Sequence, residues 1–351
     1  MAIASISEKI RDPRSKKRNL VMFLGLILLV AVLFISMIIG TANTSFSDLY
    51  NVFIGVQNTE SYRILYHIRI PRVLTAMFAG INLAIAGCIL QGVLKNPLAD
   101  PGIIGVSAGA GLAAMVVMIV LPEYTNMVPI VAFVGAMVAT LILFALAWEE
   151  GIQPLKLILA GVAVSAFFAG GVFCFFCFFA GGMTCLMVFF SDKIQGTVNW
   201  MAGGFSGASW KHVTMILPYT IIGLVGVSIS SKLLNALQLG DDVAKSLGTR
   251  VEATRFFLVT LAALLAASAV SVAGMLTFVG LIVPHMMRLV VGSDFNYLLP
   301  SSAIFGGILL IVADTVARTA FSPIEVPVGV FMSFIGAPFF LYLLKRGMQK
   351  R

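Results

Sequence analysis

The sequence predicts an all-α polytopic membrane protein: ten transmembrane helices per chain, arranged as two inverted five-helix repeats. Three observations predict it. Of 351 residues, 60% are hydrophobic and only 11% charged, and the mean hydropathy is +1.03. A water-soluble chain of this length needs more polar surface than that. The apolar residues are gathered into ten runs, most of them near the about 20 residues that cross a bilayer as a helix. The cations are sorted as well. Seventeen of the 23 lysines and arginines fall on the side that holds both termini, and six on the other. That bias orients membrane chains with their basic segments in the cytoplasm. The net charge of +8 therefore belongs to segment ends facing headgroups, and nucleic acid is not an expected partner.

Residues 1–19 form a basic cytoplasmic tail containing Lys9, Arg11, Arg14, Lys16, Lys17 and Arg18. The apolar run Leu20–Ile39 is too long for the core of a signal peptide, and Gly40-Thr41-Ala42 is a poor cleavage site, so it reads as an uncleaved first span. Residues 41–70 form an outer polar segment with a short helix for which Ser47 is the expected N-cap. The second and third spans are Val73–Val93 and Ile103–Leu121, separated by a tight elbow, Lys95-Asn96-Pro97-Leu98-Ala99-Asp100-Pro101-Gly102. Its prolines stop one helix and start the next. Val128–Ala147 is the fourth span, after an outer turn at 121–126. Leu155–Phe190 is apolar for longer than one span needs, and Gly170-Gly171 and Gly181-Gly182 interrupt it. It reads as a fifth span to about Ala180, then a partly buried outer segment. Thr197–Phe205 follows as a short helix that does not cross.

The sixth span is Val213–Ile229, and 231–255 is a polar cytoplasmic loop. Phe256–Gly274, Leu276–Val291, Leu298–Ala317 and Val328–Leu344 complete the ten. The membrane-spanning domain thus covers 20–345, and 346–351 is a short cytoplasmic tail. A shift of 187 residues aligns Gly87 with Gly274, Leu94 with Leu281 and Pro97 with Pro284, so the second and seventh spans correspond. Five spans per half invert the second half relative to the first, an arrangement that belongs to alternating-access transporters.

No catalytic constellation is visible. His67, His212 and His285 are isolated, and no Gly-Lys dipeptide occurs, so the chain has no phosphate loop of its own. Cys88, Cys174, Cys177 and Cys185 all lie in apolar runs and read as small buried hydrophobes. Asp314 and Arg318 stand at i, i+4 near the outer end of the ninth span and can pair on one helix face. Gly240-Asp241-Asp242-Val243-Ala244-Lys245-Ser246-Leu247-Gly248 encodes a short cytoplasmic helix, with acids at its N-terminus and Gly248 closing its C-terminus.

Four stretches in order also carry a resemblance. RIPRVLTAMFAGINLAIAGCILQ at 69–91 runs into NPLADPGIIGVSAGA at 96–110. GDDVAKSLG follows at 240–248, GLIVPHMMR at 280–288 with LLP at 298–300, and Asp314-Thr-Val-Ala-Arg318. Together they resemble the permease family of ABC importers for ferric siderophores, haem and vitamin B12. The resemblance implies a bacterial cytoplasmic (inner) membrane permease with both termini cytoplasmic. It implies a second copy of the chain, two ATP-binding subunits and one extracytoplasmic substrate-binding protein as partners, besides membrane lipid. No cofactor is expected on this chain, ATP and Mg being used by the partner subunit, so the chain itself is not an enzyme.

By the same resemblance, Gly240, Asp241, Asp242, Ala244, Leu247 and Gly248 form the ATPase-coupling helix. Arg69, Arg72 and Arg318 meet acidic residues of the binding protein, and Asn96 and Leu98 lie near the cytoplasmic gate. The pathway is lined by roughly 160–205 at the dimer interface. One departure is that Asp294-Phe295-Asn296-Tyr297 replaces a basic run before Leu298-Leu299-Pro300. The alternative reading, from another class, is an ion-coupled secondary transporter with inverted repeats. It would need ionisable residues at mid-membrane.

Overall fold

The computed structural model describes residues 14–40, 44–56, 60–148, 154–181, 196–322 and 324–348, and these are helical with short connections. We number the helices α1 (Ser15–Ile38), α2 (Phe46–Ile54), α3 (Glu60–Ile64), α4 (Ile70–Val93), α5 (Val106–Val120), α6 (Val128–Ala147) and α7 (Pro154–Gly181). They continue as α8 (196–202), α9 (Trp210–Gln238), α10 (Asp241–Ser246), α11 (Val251–Ala273), α12 (Val279–Val291), α13 (Phe295–Thr319) and α14 (Val328–Met348). Seven helices are long and apolar enough to cross a membrane: α1, α3–α4 taken together, α6, α7, α9, α11 and α13. Helices α5, α12 and the described part of α14 are apolar but shorter.

The bundle is built around α4, which packs against α9, α11, α12 and α13. The sequence explains why this helix and not another is central. Ala76, Ala79, Ala84 and Ala86 are fully buried, and glycines mark the closest crossings. A Cβ on Gly80 would overlap the backbone of Gly306 in α13, and one on Gly87 would overlap Gly280 in α12. Without a hydrophobic force between helices in lipid, such backbone-to-backbone approach supplies the packing. By contrast α1 lies at the rim, with only 22% of its apolar window buried.

Several boundaries differ from those expected. The N-cap of α2 is Ser45, not Ser47: Ser45 Oγ accepts from Asp48 N–H and Asp48 Oδ2 accepts from Ser45 N–H at 2.8 Å. The acid three residues after Ser45 closes a reciprocal capping box, which Ser47 has no acid to match. Helix α9 continues to Gln238, well past Ile229. Ser230 and Ser231 are buried, and Leu234 and Leu237 carry the apolar face onward, so the polar letters there do not end the helix. On the other side of the loop α11 begins at Val251, because Thr254 and Arg255 are themselves buried. Most of 231–255 is therefore helix. The expected short helix Thr197–Phe205 stops at 202, where Gly203 takes φ +73° and Phe205 tucks into the core. The expected outer segment beyond α7, with Met183, Cys185 and Met187, lies outside the described residues. So do the side chains of Cys174 and Cys177.

Candidate functional site

Two polar constellations stand at opposite ends of α4. At its N-terminal end, Arg72 lies in the first turn of the helix and is 8% exposed. Its Nε donates to both oxygens of Asp314 at 3.1 and 3.0 Å, and its Nη2 donates to Oδ1 at 2.9 Å. Its Nη1 donates to Glu325 Oε2 at 2.9 Å. Asp314 is buried while the Glu325 side chain is 40% exposed, so Arg72 holds one deep and one peripheral carboxylate. Arg318 stands 3.9 Å from Asp314 and also donates to the Ser36 carbonyl of α1. The i, i+4 contact expected between Asp314 and Arg318 is thus the looser one; the close partner of Asp314 is on α4. Arg69 donates to the Met37 and Ile38 carbonyls and to Thr44 Oγ1.

The structure brings Arg69, Arg72 and Arg318 together as buried groups. Arg72 and Arg318 both stand at Asp314, and Arg72 also holds Glu325. Arg72 and Glu325 also line a cavity of about 460 Å³, together with Asn199, Trp200 and His212.

At the C-terminal end, Lys95 turns the chain with φ +49°. Asn96 Oδ1 accepts from Leu98 N–H at 3.0 Å, and Asp100 Oδ1 accepts from Gly102 N–H at 2.8 Å to start a 3-10 turn, Pro101–Ile104. Burial pushes the Asp100 carboxyl up to about 6, against the lowering effect of backbone N–H groups from Gly102 and Leu281. Gln91 ties the elbow to α12: its Nε2 donates to Gly280 O at 3.2 Å and its Oε1 accepts from Arg288 at 3.3 Å.

Helix α10 is fixed beside this elbow. Gly240 (φ +102°) lets the chain enter it. Gly248 N–H to Lys245 O (2.9 Å) and Thr249 N–H to Ala244 O (3.0 Å) close it as a Schellman motif, with Gly248 left-handed. Asp241 accepts from buried Arg255 at 2.8 and 2.9 Å and lies 3.8 Å from Lys95. The six residues expected to act together here divide into two faces. Asp241 and fully buried Ala244 hold the helix to the bundle, whereas Asp242 and Leu247 face outward.

Sequence reasoning did not single out Val243, which is 46% exposed beside Leu247 at 63%; the i, i+4 apolar spacing in so short a helix was the available signal. Nor did it single out Glu325, whose partner is 253 residues away. Asp294, in the segment that departs from the family's basic run, caps α13 by accepting from Asn296 N–H at 3.0 Å and receives Asn235 Nδ2 at 2.9 Å. Tyr297 lies beneath Arg18, 5.0 Å from its ring centre.

Comparison with known proteins agrees with this architecture. Residues 28–346 match the FecCD transport family. The Fe(3+)-citrate import system permease protein YfmE of Bacillus subtilis is 37% identical over 97% of this chain and 99% of its own length. The hemin transport system permease protein HmuU of Yersinia pestis is 36% identical over 93% of this chain and 95% of its own. A solved structure described as an inward-facing metal-chelate type ABC transporter superposes with a TM-score of 0.75 at 27% identity, covering 93% of this chain and 99% of that one.

Proposed function

Because the chain belongs to the FecCD transport family, we propose that it is the permease subunit of an ABC importer that moves a ferric chelate or haem across the bacterial cytoplasmic membrane. Relatives named for Fe(3+)-citrate, iron(3+)-hydroxamate and hemin import support that ligand class. In this reading α5, α12 and α14 cross together with the seven longer helices, giving ten spans in two inverted halves with both termini cytoplasmic. The permease domain occupies 20–345 between two cytoplasmic tails. Two copies enclose the pathway, which α7 and the short helix α8 line, and two ATP-binding subunits and one extracytoplasmic binding protein complete the complex. This chain carries no cofactor; the partner subunit binds ATP and Mg and hydrolyses the ATP.

One observation carries the proposal: α10 is capped at its C-terminus, pinned on one face by Asp241–Arg255, and bare and apolar on the other at Val243 and Leu247. A six-residue helix has no stability of its own, so its fixed seat and open face suit it to transmit force from a partner. Gly240, Asp241, Ala244 and Gly248 set its geometry; Asp242, Val243 and Leu247 meet the ATPase. Asn96 and Leu98, in the elbow that Lys95 joins to Asp241, form part of the cytoplasmic gate. Arg69, Arg72 and Arg318 receive acidic residues of the binding protein.

The test is co-purification and substrate-stimulated ATP hydrolysis of the reconstituted complex. Asp242→Lys with Leu247→Asp is expected to abolish stimulation by more than about tenfold, the loss of one hot-spot contact, while the permease still elutes as a folded species. Unchanged stimulation and uptake would remove α10 as the coupling element. An ATPase subunit that never co-purifies, with uptake driven by an ion gradient, would favour a secondary transporter.

A further inference from the structure

Helix α2 carries more apolar surface than the other described residues cover. Its nine residues, Phe46–Ile54, are set by caps at both ends: the Ser45–Asp48 box and Gly55 at φ +90°, whose N–H reaches Asn51 O and Val52 O. Leu49 and Val52 are buried in a small core with Met37 of α1 and Leu65 and Ile70 of the next segment. Phe46, Tyr50, Phe53 and Ile54 are 69, 66, 66 and 60% exposed. On a helix of 3.6 residues per turn these four fall within an arc of about 100°, beside the buried pair; Ser47 borders the arc about 20° beyond Ile54, and Asn51 and Asp48 lie farther round. The exposed arc is as wide as the face a helix ordinarily buries.

The surroundings say what covers it. Phe53 meets Phe34 of α1, ring centres 6.3 Å apart. Phe34, Ile35 and Ile39 continue the exposed apolar side of α1, which also shows Phe23, Ile27 and Val30. Among the described residues nothing covers that side, and it belongs to a helix long and apolar enough to cross. The apolar run Leu20–Ile39 is about 30 Å long at 1.5 Å per residue, the thickness of the hydrocarbon core. Its far end therefore stands at the edge of the hydrocarbon, and α2 follows within a few residues. Tyr62, Tyr66 and Trp210 stack at the same end, at 5.2 Å spacing between successive rings, in the pattern of an interfacial aromatic belt.

We propose that α2 is an interfacial anchor: it lies in the plane of the bilayer on the side opposite the basic N-terminus, with Phe46, Tyr50, Phe53 and Ile54 in the headgroup–acyl boundary. The helix contains no Lys or Arg, and its one acid, Asp48, is engaged in the cap. Its binding thus rests on buried apolar area and not on headgroup charge, unlike basic amphipathic helices. The anchor fixes the outer end of α1, because the linker Thr44 is held by Arg69.

The test uses the full chain with its four native cysteines replaced, reconstituted in lipid vesicles, and a nitroxide placed in turn at positions 47, 50, 51 and 53. Collision with oxygen reports lipid, and collision with a water-soluble nickel chelate reports solvent. Labels at 50 and 53 are expected to show nickel accessibility lower by about threefold or more than a label at 51, with 47, at the border of the apolar arc, in between, the contrast between the two faces of an interfacial helix. The contrast is expected to be the same in purely zwitterionic vesicles and in vesicles with anionic lipid. Should a label at 50 or 53 disturb folding, positions 46 and 54 carry the same reporter. Equal nickel accessibility around the helix overturns the proposal. So does protection that appears only when the extracytoplasmic binding protein is added, which would make the face a protein-docking surface. A contrast confined to anionic vesicles overturns the charge-independent mode.

Discussion

Replacing Asp314 with alanine removes the carboxylate against which the outer end of α4 is held. Three donor–acceptor contacts of 2.9–3.1 Å from Arg72 are lost, and the Asp314 side chain is only 1% exposed, so water cannot substitute for it. Arg72 keeps Glu325 at 2.9 Å. Removing one partner of a buried ion pair costs about 3–5 kcal/mol, because the other charge stays buried and uncompensated. A partly exposed replacement such as Glu325 is worth at most about 1 kcal/mol. The expected net loss is therefore about 3 kcal/mol, set by the first effect. The same reasoning gives the opposite result for the pair. Arg72→Met with Asp314→Leu removes both charges and fills the space, which is often neutral or stabilising by up to about 4 kcal/mol.

The assay is the monodisperse fraction of detergent-solubilised permease after a temperature ramp, paired with capture of the binding protein. Asp314→Ala should lose resistance to heat. The double variant should regain most of it and yet capture the binding protein poorly, because the guanidinium is gone. A single variant as robust as the parent would refute the buried-charge argument. A double variant as labile as the single one would show that the site needs its charges for folding.

Two further outcomes follow from the same geometry. In a chain freed of its native cysteines, a cysteine at Asn126 should react with an impermeant thiol reagent added outside intact cells, and one at Asn296 should not; the reverse pattern would invert the proposed topology. Glu325→Gln should raise capture of the binding protein at low salt, since it removes a carboxylate that competes for Arg72, and capture that falls instead would assign Glu325 itself to the docking surface.

The gross architecture was legible because lipid imposes it. Apolar runs, Pro- and Gly-marked elbows and cation bias all act locally along the chain. The closing glycine of α10 was readable for the same reason: Gly248 does its work within one turn. What the letters could not show was pairing across the fold. Arg69, Arg72 and Arg318 stand at helix ends, where arginines commonly reach for headgroups, and only the meeting of α4, α13 and α1 turns them inward. Ser230, Ser231, Thr254 and Arg255 read as loop residues, yet tertiary burial makes them helix. Val243 went unnoticed although its i, i+4 spacing to Leu247 was readable, because only the fold shows that Asp241 and Ala244 seat the helix and leave these two exposed.

Helix α4 is where the two ends of the molecule meet. It is 24 residues long, about 36 Å at 1.5 Å per residue, and every residue from Ala79 to Val93 is buried. Its first turn holds the Arg72–Asp314–Glu325 cluster, and the elbow after its last turn reaches α10 through Lys95 and Asp241. Between them, Gly80 and Gly87 lock it to α13 and α12 by backbone contacts that leave no side chain free to yield. Close-packed contacts of this kind transmit displacement instead of absorbing it. Under the proposed coupling role of α10, its displacement is expected to carry α4 together with α12 and α13 and to reach Arg72 as a change in its distance to the half-exposed Glu325. Of its two carboxylates, that is the one expected to give way, because Asp314 belongs to α13 while Glu325 sits in the loop beyond it.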